Sequence, residues 1–308
     1  MKISIVISTY NGEKFILDQL DSLKNQTVLA DEVIIVDDCS TDKTVELVNN
    51  YIARYQLTSW NIYVNEKNLG WRKNFMDSIW KSSGDLIFTC DQDDIWRQDK
   101  LSIMKRIMED HSEISLLTSN YKEFYDNGHT AIGPWKNEKK LKKIPLTNNY
   151  FLVKSPGCTH CIRRNLAELS KKYWKPEYPH DALLWRLALF TNSLYTYTDT
   201  LINWRKHTAS AFAQESHDLK TIGEKKKWIK TAQSFQNTLK KFIRDDVITD
   251  ITHQSSVLKR NDKWLDTRYN FYNYQNVLTG IILSFYWDCY PRHRQYLGDW
   301  YLIFIKKE

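Results

Sequence analysis

No apolar run in this sequence is long enough to cross a bilayer. The nearest, Val277 to Phe285, falls far short of the roughly 20 residues a spanning helix needs. The reading is a soluble or peripheral protein. Cysteine is scarce as well. Cys39, Cys90, Cys158, Cys161 and Cys289 are five, an odd number at irregular spacing, which argues against a disulfide framework and for a reduced, cytoplasmic setting. Cys158, His160 and Cys161 lie close together but lack the fourth ligand of a closed zinc site. The first apolar run is followed by Thr9-Tyr10-Asn11-Gly12 rather than Gly-x-Gly-x-x-Gly, which argues against the dinucleotide cradle of an oxidoreductase. The Gly- and Arg-rich loop of a nucleotidyltransferase is missing at the same place. Basic residues outnumber acidic ones by 44 to 37, giving +7, yet no nucleic-acid module accompanies the excess. Its runs, Lys136 to Lys143, Lys220 to Lys230 and Lys240 to Arg244, are read as solvated faces, with anionic headgroups or a phosphate-bearing acceptor left open.

With 42% hydrophobic and 26% charged residues over 308 positions, the chain has the balance of a globular protein that buries a sizeable core. Met1 to Ser8 is apolar too briefly for a signal peptide and reads as a buried strand. Val33 to Val36 is a second run apolar at consecutive positions, the mark of a strand covered on both faces. Phe15, Leu17, Leu20 and Leu23 recur between them at helical spacing. Ser40 or Thr41 is placed to cap a helix through Tyr55. Trp60 to Val64 is expected to be a strand, Trp71 to Lys81 a helix and Leu86 to Thr89 a strand. Asp99 to Glu109 follows as a helix and Ile114 to Ser119 as a strand. Tyr121 to Leu146, polar and basic with Gly and Pro, is expected to be a long loop. From Glu215 onward, Lys, Trp, Tyr and Phe at helical spacing predict a helical appendage, its stripe of Trp228, Phe235, Leu239 and Phe242 serving packing or self-association. The class is α/β, with a mainly parallel sheet flanked by helices.

Polar residues gather at the carboxyl ends of the expected strands: Ser8 to Asn11, Asp37-Asp38, and Asp91-Gln92-Asp93-Asp94. Ligands of open α/β sheets bind at that edge. Asp91 and Asp93, one residue apart on an extended segment, project to the same side and can share a hard cation with substrate phosphate oxygens. On spacing alone, a solvated acidic turn at a helix start explains them equally well. Asp181, after Pro179-His180 and before an apolar helical stretch, sits where a carboxylate meets a helix dipole, so a simple N-cap is its plain reading.

Four motifs stand in order: Ile5-Val6-Ile7-Ser8-Thr9-Tyr10-Asn11-Gly12, Val36-Asp37-Asp38-Cys39-Ser40-Thr41-Asp42, Asn68-Leu69-Gly70 with Lys73-Asn74, and Asp91-Gln92-Asp93-Asp94-Ile95-Trp96. Together they resemble family 2 glycosyltransferases over residues 1 to about 210, and the last resembles the branch with many bacterial rhamnosyltransferases and other cell-surface glycan transferases. The resemblance implies a GT-A, Rossmann-like fold. Its catalytic domain would occupy residues 1–214, with a nucleotide-binding half to about 110 and an acceptor half from 111, leaving 215–308 as the helical region. It implies an inverting transfer of one sugar from a UDP- or dTDP-linked donor to a glycan or glycoprotein hydroxyl, with Mn²⁺ or Mg²⁺. Ser8, Tyr10, Asp38, Lys73 and Asp91 would meet the nucleotide, Asp91 lying near ribose or donor sugar. Asp93 would bind the metal, and His207 of Trp204-Arg205-Lys206-His207 would complete that site or touch the diphosphate. Asp181 would be the base, while Gly157, Asp94 and His180 would line the sugar sites. The Gln-x-x-Arg-Trp signature of processive synthases is absent, which favours single transfers. A homo-oligomer through the C-terminal region and a peripheral contact at the inner face of the cell membrane stay open, and no nucleic acid is expected. From another class, a noncatalytic glycan-binding module with some of the twelve Trp residues as platforms is the rival reading.

Overall fold

The computed structural model describes residues 1–207, 220–245 and 250–306. The boundary expected between 214 and 215 lies outside the described residues. The chain divides into two compact units, one made of Met1–Ile144, Lys154–Ala188 and Ser193–His207, the other of Pro145–Val153, Leu189–Asn192 and the residues from Thr208 on.

The first unit is built on one mixed sheet. β1 (Ile3–Thr9), β2 (Glu32–Asp37), β3 (Trp60–Val64) and β4 (Leu86–Asp91) are parallel, joined by α1 (Ile16–Lys24), α2 (Thr44–Tyr55) and α3 (Trp71–Lys81). Next come β5 (Ile95–Trp96), α4 (Lys100–Asp110), β6 (Leu116–Tyr125), β7 (Thr130–Ile132), β8 (Leu141–Lys143), β9 (Cys161–Arg163), α5 (Arg164–Ser170), α6 (His180–Phe190) and β10 (Leu194–Lys206). The strand order is β3-β2-β1-β4-β9-β6-β10-β5, with β7 on β6 and β8 on β10. From β1 the chain moves outward through β2 and β3, then returns to the other side of β1 with β4. The topological switch point therefore falls between β1 and β4, whose register pairs Ser8 with Asp91.

Consecutive apolar residues make β1 and β2 suitable for burial on both faces. Ile3, Ile5 and Ile7 join a core with Leu20 of α1, Val48 of α2 and Met104 of α4, while α3 packs on β1 and β2 through residues outside that cluster.

Three expectations are corrected. Ser40 and Thr41 do not cap α2, which begins at Thr44 with Asp42 accepting from its backbone N–H at 2.9 Å. Ser40 donates to Asp37 instead. The strand expected to end at Ser119 continues to Tyr125. The segment read as a long loop contains β7 and β8, the first closed onto β6 by a turn in which Gly128 has φ +82°. These edge strands are three residues each and largely exposed, so they have no apolar alternation to betray them.

From residue 220 on, the described parts of the second unit are mainly helical: α7 (Ile222–Arg244), α8 (Thr252–Tyr274), α9 (Val277–Leu283) and α10 (Arg294–Trp300), with a 3₁₀ stretch Ser284–Cys289 and a π-helical stretch Tyr301–Lys306. Thr221 and Glu224 form a reciprocal capping box at the start of α7. Phe235, Leu239 and Phe242 of the expected stripe are buried, and α7 packs against α8. Among the described residues no helix is long and apolar enough to cross a membrane.

Candidate functional site

The carboxyl ends of β1 and β2 lead into two loops that are tied together. Asn11, at φ 47°, donates its N–H to the Ser40 hydroxyl at 2.8 Å and accepts from Thr41 N–H at 2.9 Å, and Gly12 N–H donates to Thr44 Oγ1 at 2.8 Å. Gln92 adds a clamp from β4. Its Oε1 accepts from Tyr10 N–H at 2.9 Å and its amide donates to Tyr10 carbonyl at 3.1 Å. Residue 12 must be glycine for this, because a Cβ there would overlap the Gln92 amide. The Tyr10 backbone is thereby fixed while 48% of the residue stays exposed.

Asp37 and Asp38 are both buried. Asp37 accepts from Thr9 and from the side chain and backbone of Ser40. Asp38 accepts from the backbone N–H groups of Leu69 at 2.7 Å and Gly70 at 2.8 Å, and from Asn65 at 2.9 Å. In this arrangement its carboxylate holds the Asn68-Leu69-Gly70 loop beside the strand ends. Asn74 of α3 donates to Ser8 Oγ at 2.7 Å and to Val36 carbonyl at 2.8 Å, closing the floor of the cleft. Lys73 is paired on the helix surface with Asp77 at 2.6 Å.

The acidic group follows β4. Asp93 Oδ2 lies 2.7 Å from His207 Nε2, with both side chains slightly exposed. Arg205 donates its Nε–H to Asp93 carbonyl at 2.8 Å, and its guanidinium covers the ring of Phe15. Asp94 is fully buried, its Oδ1 accepting from Arg205 N–H at 3.0 Å. Burial, then the neighbouring Asp93 and Asp181 charges, push Asp91 up to about 7. Burial also raises Asp94 well above the usual carboxylate range, with Asp93 and Asp91 adding to it. Asp91, Asp94 and the Cys158 thiol lie within 4.8 Å of one another. Behind them Lys100 is buried, its ammonium donating to Cys158 carbonyl at 2.7 Å and lying over the Trp96 ring at 3.4 Å; burial draws it down to about 8.

Asp181 stands in the first turn of α6, Oδ1 accepting from Ala182 N–H at 2.7 Å. It is close enough to Asp91 for their charges to interact. Gly157, in a 3₁₀ turn at Gly157–Thr159, lets the chain pass over His180, where a Cβ would overlap the imidazole. His180 is buried, stacked on Phe75 at 4.1 Å, and burial pulls it down to about 3, so it is a neutral ring at physiological pH. Neither of its ring nitrogens has a hydrogen-bond partner among the described residues.

The structure thus gathers Asp91, Asp93, His207 and Asp181 near the switch point, with Tyr10 and Ser8 at the β1 end. Lys73 is engaged elsewhere on α3, and Asp94 and His180 face inward. Sequence reasoning missed Gln92, Asn74, Lys100 and the role of Arg205. Gln92 and Asn74 stand inside motifs already noted, whereas Lys100 has the look of an exposed helix-start lysine and carries no such signal.

Residues 4–174 match the family model described as "Glycosyl transferase family 2". An uncharacterized protein of Mycobacterium tuberculosis is 34% identical over 127 residues, 41% of this chain; the match spans only about a third, 36%, of that relative's length. The amylovoran biosynthesis glycosyltransferase AmsE of Erwinia amylovora is 30% identical over 190 residues, 59% of this chain and 67% of that protein. Among solved structures, S. aureus TarS 1–349 in complex with UDP-GlcNAc superposes with a TM-score of 0.64 at 21% identity, over 84% of this chain and 70% of that one, a likeness of fold. The sheet order and flanking helices are those of the GT-A fold the motifs implied, and with the model spanning more than half of the sequence, this chain belongs to glycosyl transferase family 2.

Proposed function

We propose that the protein transfers a single sugar from a UDP- or dTDP-linked donor to a hydroxyl of a cell-surface glycan or glycoprotein acceptor, with inversion and with a divalent cation. The observation that carries the reading is the meeting of the Asp93–His207 pair with Asp91 and Asp181 at the β1–β4 switch point, beside the fixed and exposed Tyr10. A relative engaged in amylovoran biosynthesis and a neighbour holding UDP-GlcNAc support the substrate class.

Two sets of donors stand near the strand ends. Asp94 and Cys158 are buried, and burial holds the Cys158 thiol far above its usual range, so it makes a poor thiolate ligand. Asp93 and His207 retain access to solvent, and Asp91 is a carboxylate whose crowding by other acids a cation would relieve. Oxygen donors with one imidazole suit Mn²⁺ or Mg²⁺. When bound, such a cation supplies charge stabilisation to the departing diphosphate.

Tyr10 offers its ring to the base of the nucleotide, and Ser8 a hydroxyl. Asp38 shapes the nucleoside end through the Leu69–Gly70 loop. Asp181 takes the proton from the acceptor hydroxyl as that oxygen attacks the anomeric carbon on the face opposite the phosphate. One base and in-line displacement give inversion without a covalent sugar–enzyme intermediate. His180 and Gly157 set where α6 begins and so where Asp181 points. Replacing Asp181 by Asn keeps its size but removes the base, so transfer should fall at least about a hundredfold while nucleotide affinity holds. Retained transfer in that variant, or a product with the donor's anomeric configuration by NMR, defeats the reading.

A further inference from the structure

The C-terminal unit carries exposed apolar side chains. On α9 the buried residues are Gly280 and Leu283. Leu278, Ile281 and Ile282, with Phe285 just beyond in the 3₁₀ stretch, are instead 68%, 50%, 47% and 73% exposed. An apolar stripe of this kind normally faces a core. α10 lies against the inner side, where the Tyr296 hydroxyl donates to Gly280 carbonyl at 3.1 Å and a Cβ on Gly280 would overlap the rings of Trp300 and Phe271. Leu297 of α10 is also exposed, as are Tyr301 and Ile305 in the π-helical stretch that follows it. Large apolar side chains left exposed in this number within one small unit mark an interaction site.

Charge selects the partner. Both acids between residues 274 and 306 are committed to arginines of α8: Asp288 to Arg260 at 2.6 Å and Asp299 to Arg268 at 2.7 Å. The other charged residues of this stretch, Arg292, Arg294 and Lys306, are basic. Beside Tyr301 and Leu302 runs a groove lined by Lys220, Lys225 and Lys306, three cations against the nearby carboxylate of Glu224. Two copies meeting through this face would set basic rim against basic rim, a repulsive arrangement. An anionic bilayer surface would neutralise the rim, accept the apolar side chains at the headgroup boundary, and suit the partly exposed Trp287 and Tyr301, whose rings pair an apolar body with a polar tip.

We propose that this face docks the protein on a membrane containing anionic phospholipid. The test is sedimentation of the full chain with vesicles of phosphatidylcholine, alone or mixed with phosphatidylglycerol. Binding is expected to the mixed vesicles and to weaken with salt. The pair Ile281→Asp and Phe285→Asp should reduce partition at least about tenfold through lost apolar burial. Arg292→Gln with Arg294→Gln should also reduce it by about tenfold or more, each basic residue contributing roughly fivefold at such a surface. Unaltered circular dichroism melts would show that the variants fold. Absence of partition to mixed vesicles overturns the proposal, as does partition that both pairs leave intact. So does a dimer in light scattering that the aspartate pair breaks while vesicles are ignored, since the face would then join two copies.

Discussion

Each unit of the protein buries a cluster of ionisable groups, and the two are balanced in opposite ways. In the helical unit Arg268 meets Asp299 through two hydrogen bonds of 2.7 and 2.8 Å, the hydroxyls of Tyr272 and Tyr290 donate to the same carboxylate, and the rings of Trp264 and Tyr290 flank the guanidinium. One positive charge answers one negative charge, and the carboxylate oxygens are well supplied with donors. At the end of β4 three acids crowd together, and the buried Lys100 behind them donates to a carbonyl rather than to any of them. A cluster that serves packing is closed. A cluster of crowded acids, held above their usual pKa, is one whose strain a bound cation would relieve.

Breaking the closed cluster should have the largest effect. Arg268→Ala leaves Asp299 charged and buried, and should cost about 3–5 kcal/mol of stability in denaturant titration. Adding Asp299→Leu to Arg268→Met should recover much of it, because the unpaired charge is then gone. Recovery would sharpen the contrast, and its absence would place the energy in the surrounding rings.

The open cluster should respond to cations instead. Mn²⁺ at about a hundredfold over its dissociation constant should raise stability by about 2.7 kcal/mol, and Asp93→Ala should abolish most of that gain, measured as the melting shift with and without metal. An undiminished shift in Asp93→Ala would move the site to other carboxylates.

A smaller signal is expected from pH. Asp91 has a raised pKa in the folded state, so between its ordinary value near 4 and about 7 the folded form holds more proton than the unfolded one. Its contribution to stability is thus present at low pH and lost as pH rises through that window. Without metal, the stability of wild type relative to Asp91→Asn should decline between about pH 4 and 7, and a flat difference would contradict the crowding. Lys73→Ala is expected to change least, about 0.5 kcal/mol or less for an exposed pair on one helix. A marked loss of nucleotide affinity in that variant would instead bring Lys73 into the donor site.

Much of the β1–β4 part of the sheet was legible because β1 and β2 each carry a run of consecutive apolar residues, Ile5–Ile7 and Val33–Val36, and end in polar ones, a pattern with few alternatives. α3 runs from Trp71 to Lys81 as the spacing predicted. β7 and β8 were not legible, since short exposed strands are held by partners rather than by their own pattern. β10, thirteen residues long, was missed for a related reason: its register shifts against β6 at two points, which breaks the period-two signal. At the site, the motif residues were visible, but what they touch was not. Asp38 is engaged with backbone N–H groups about 30 positions away, a relation only the folded chain reveals.

Gln92 has a further consequence. It stands between Asp91 and Asp93 and grips the backbone of Tyr10 from both sides, so the platform proposed for the base and the acids proposed for the cation share one rigid link. Ligands at the two ends would then be coupled through it. Whatever factor the cation adds to nucleoside affinity, the nucleoside must return to the cation, because coupling free energy between two sites is reciprocal. A residue that need touch neither ligand would set the strength of their cooperation.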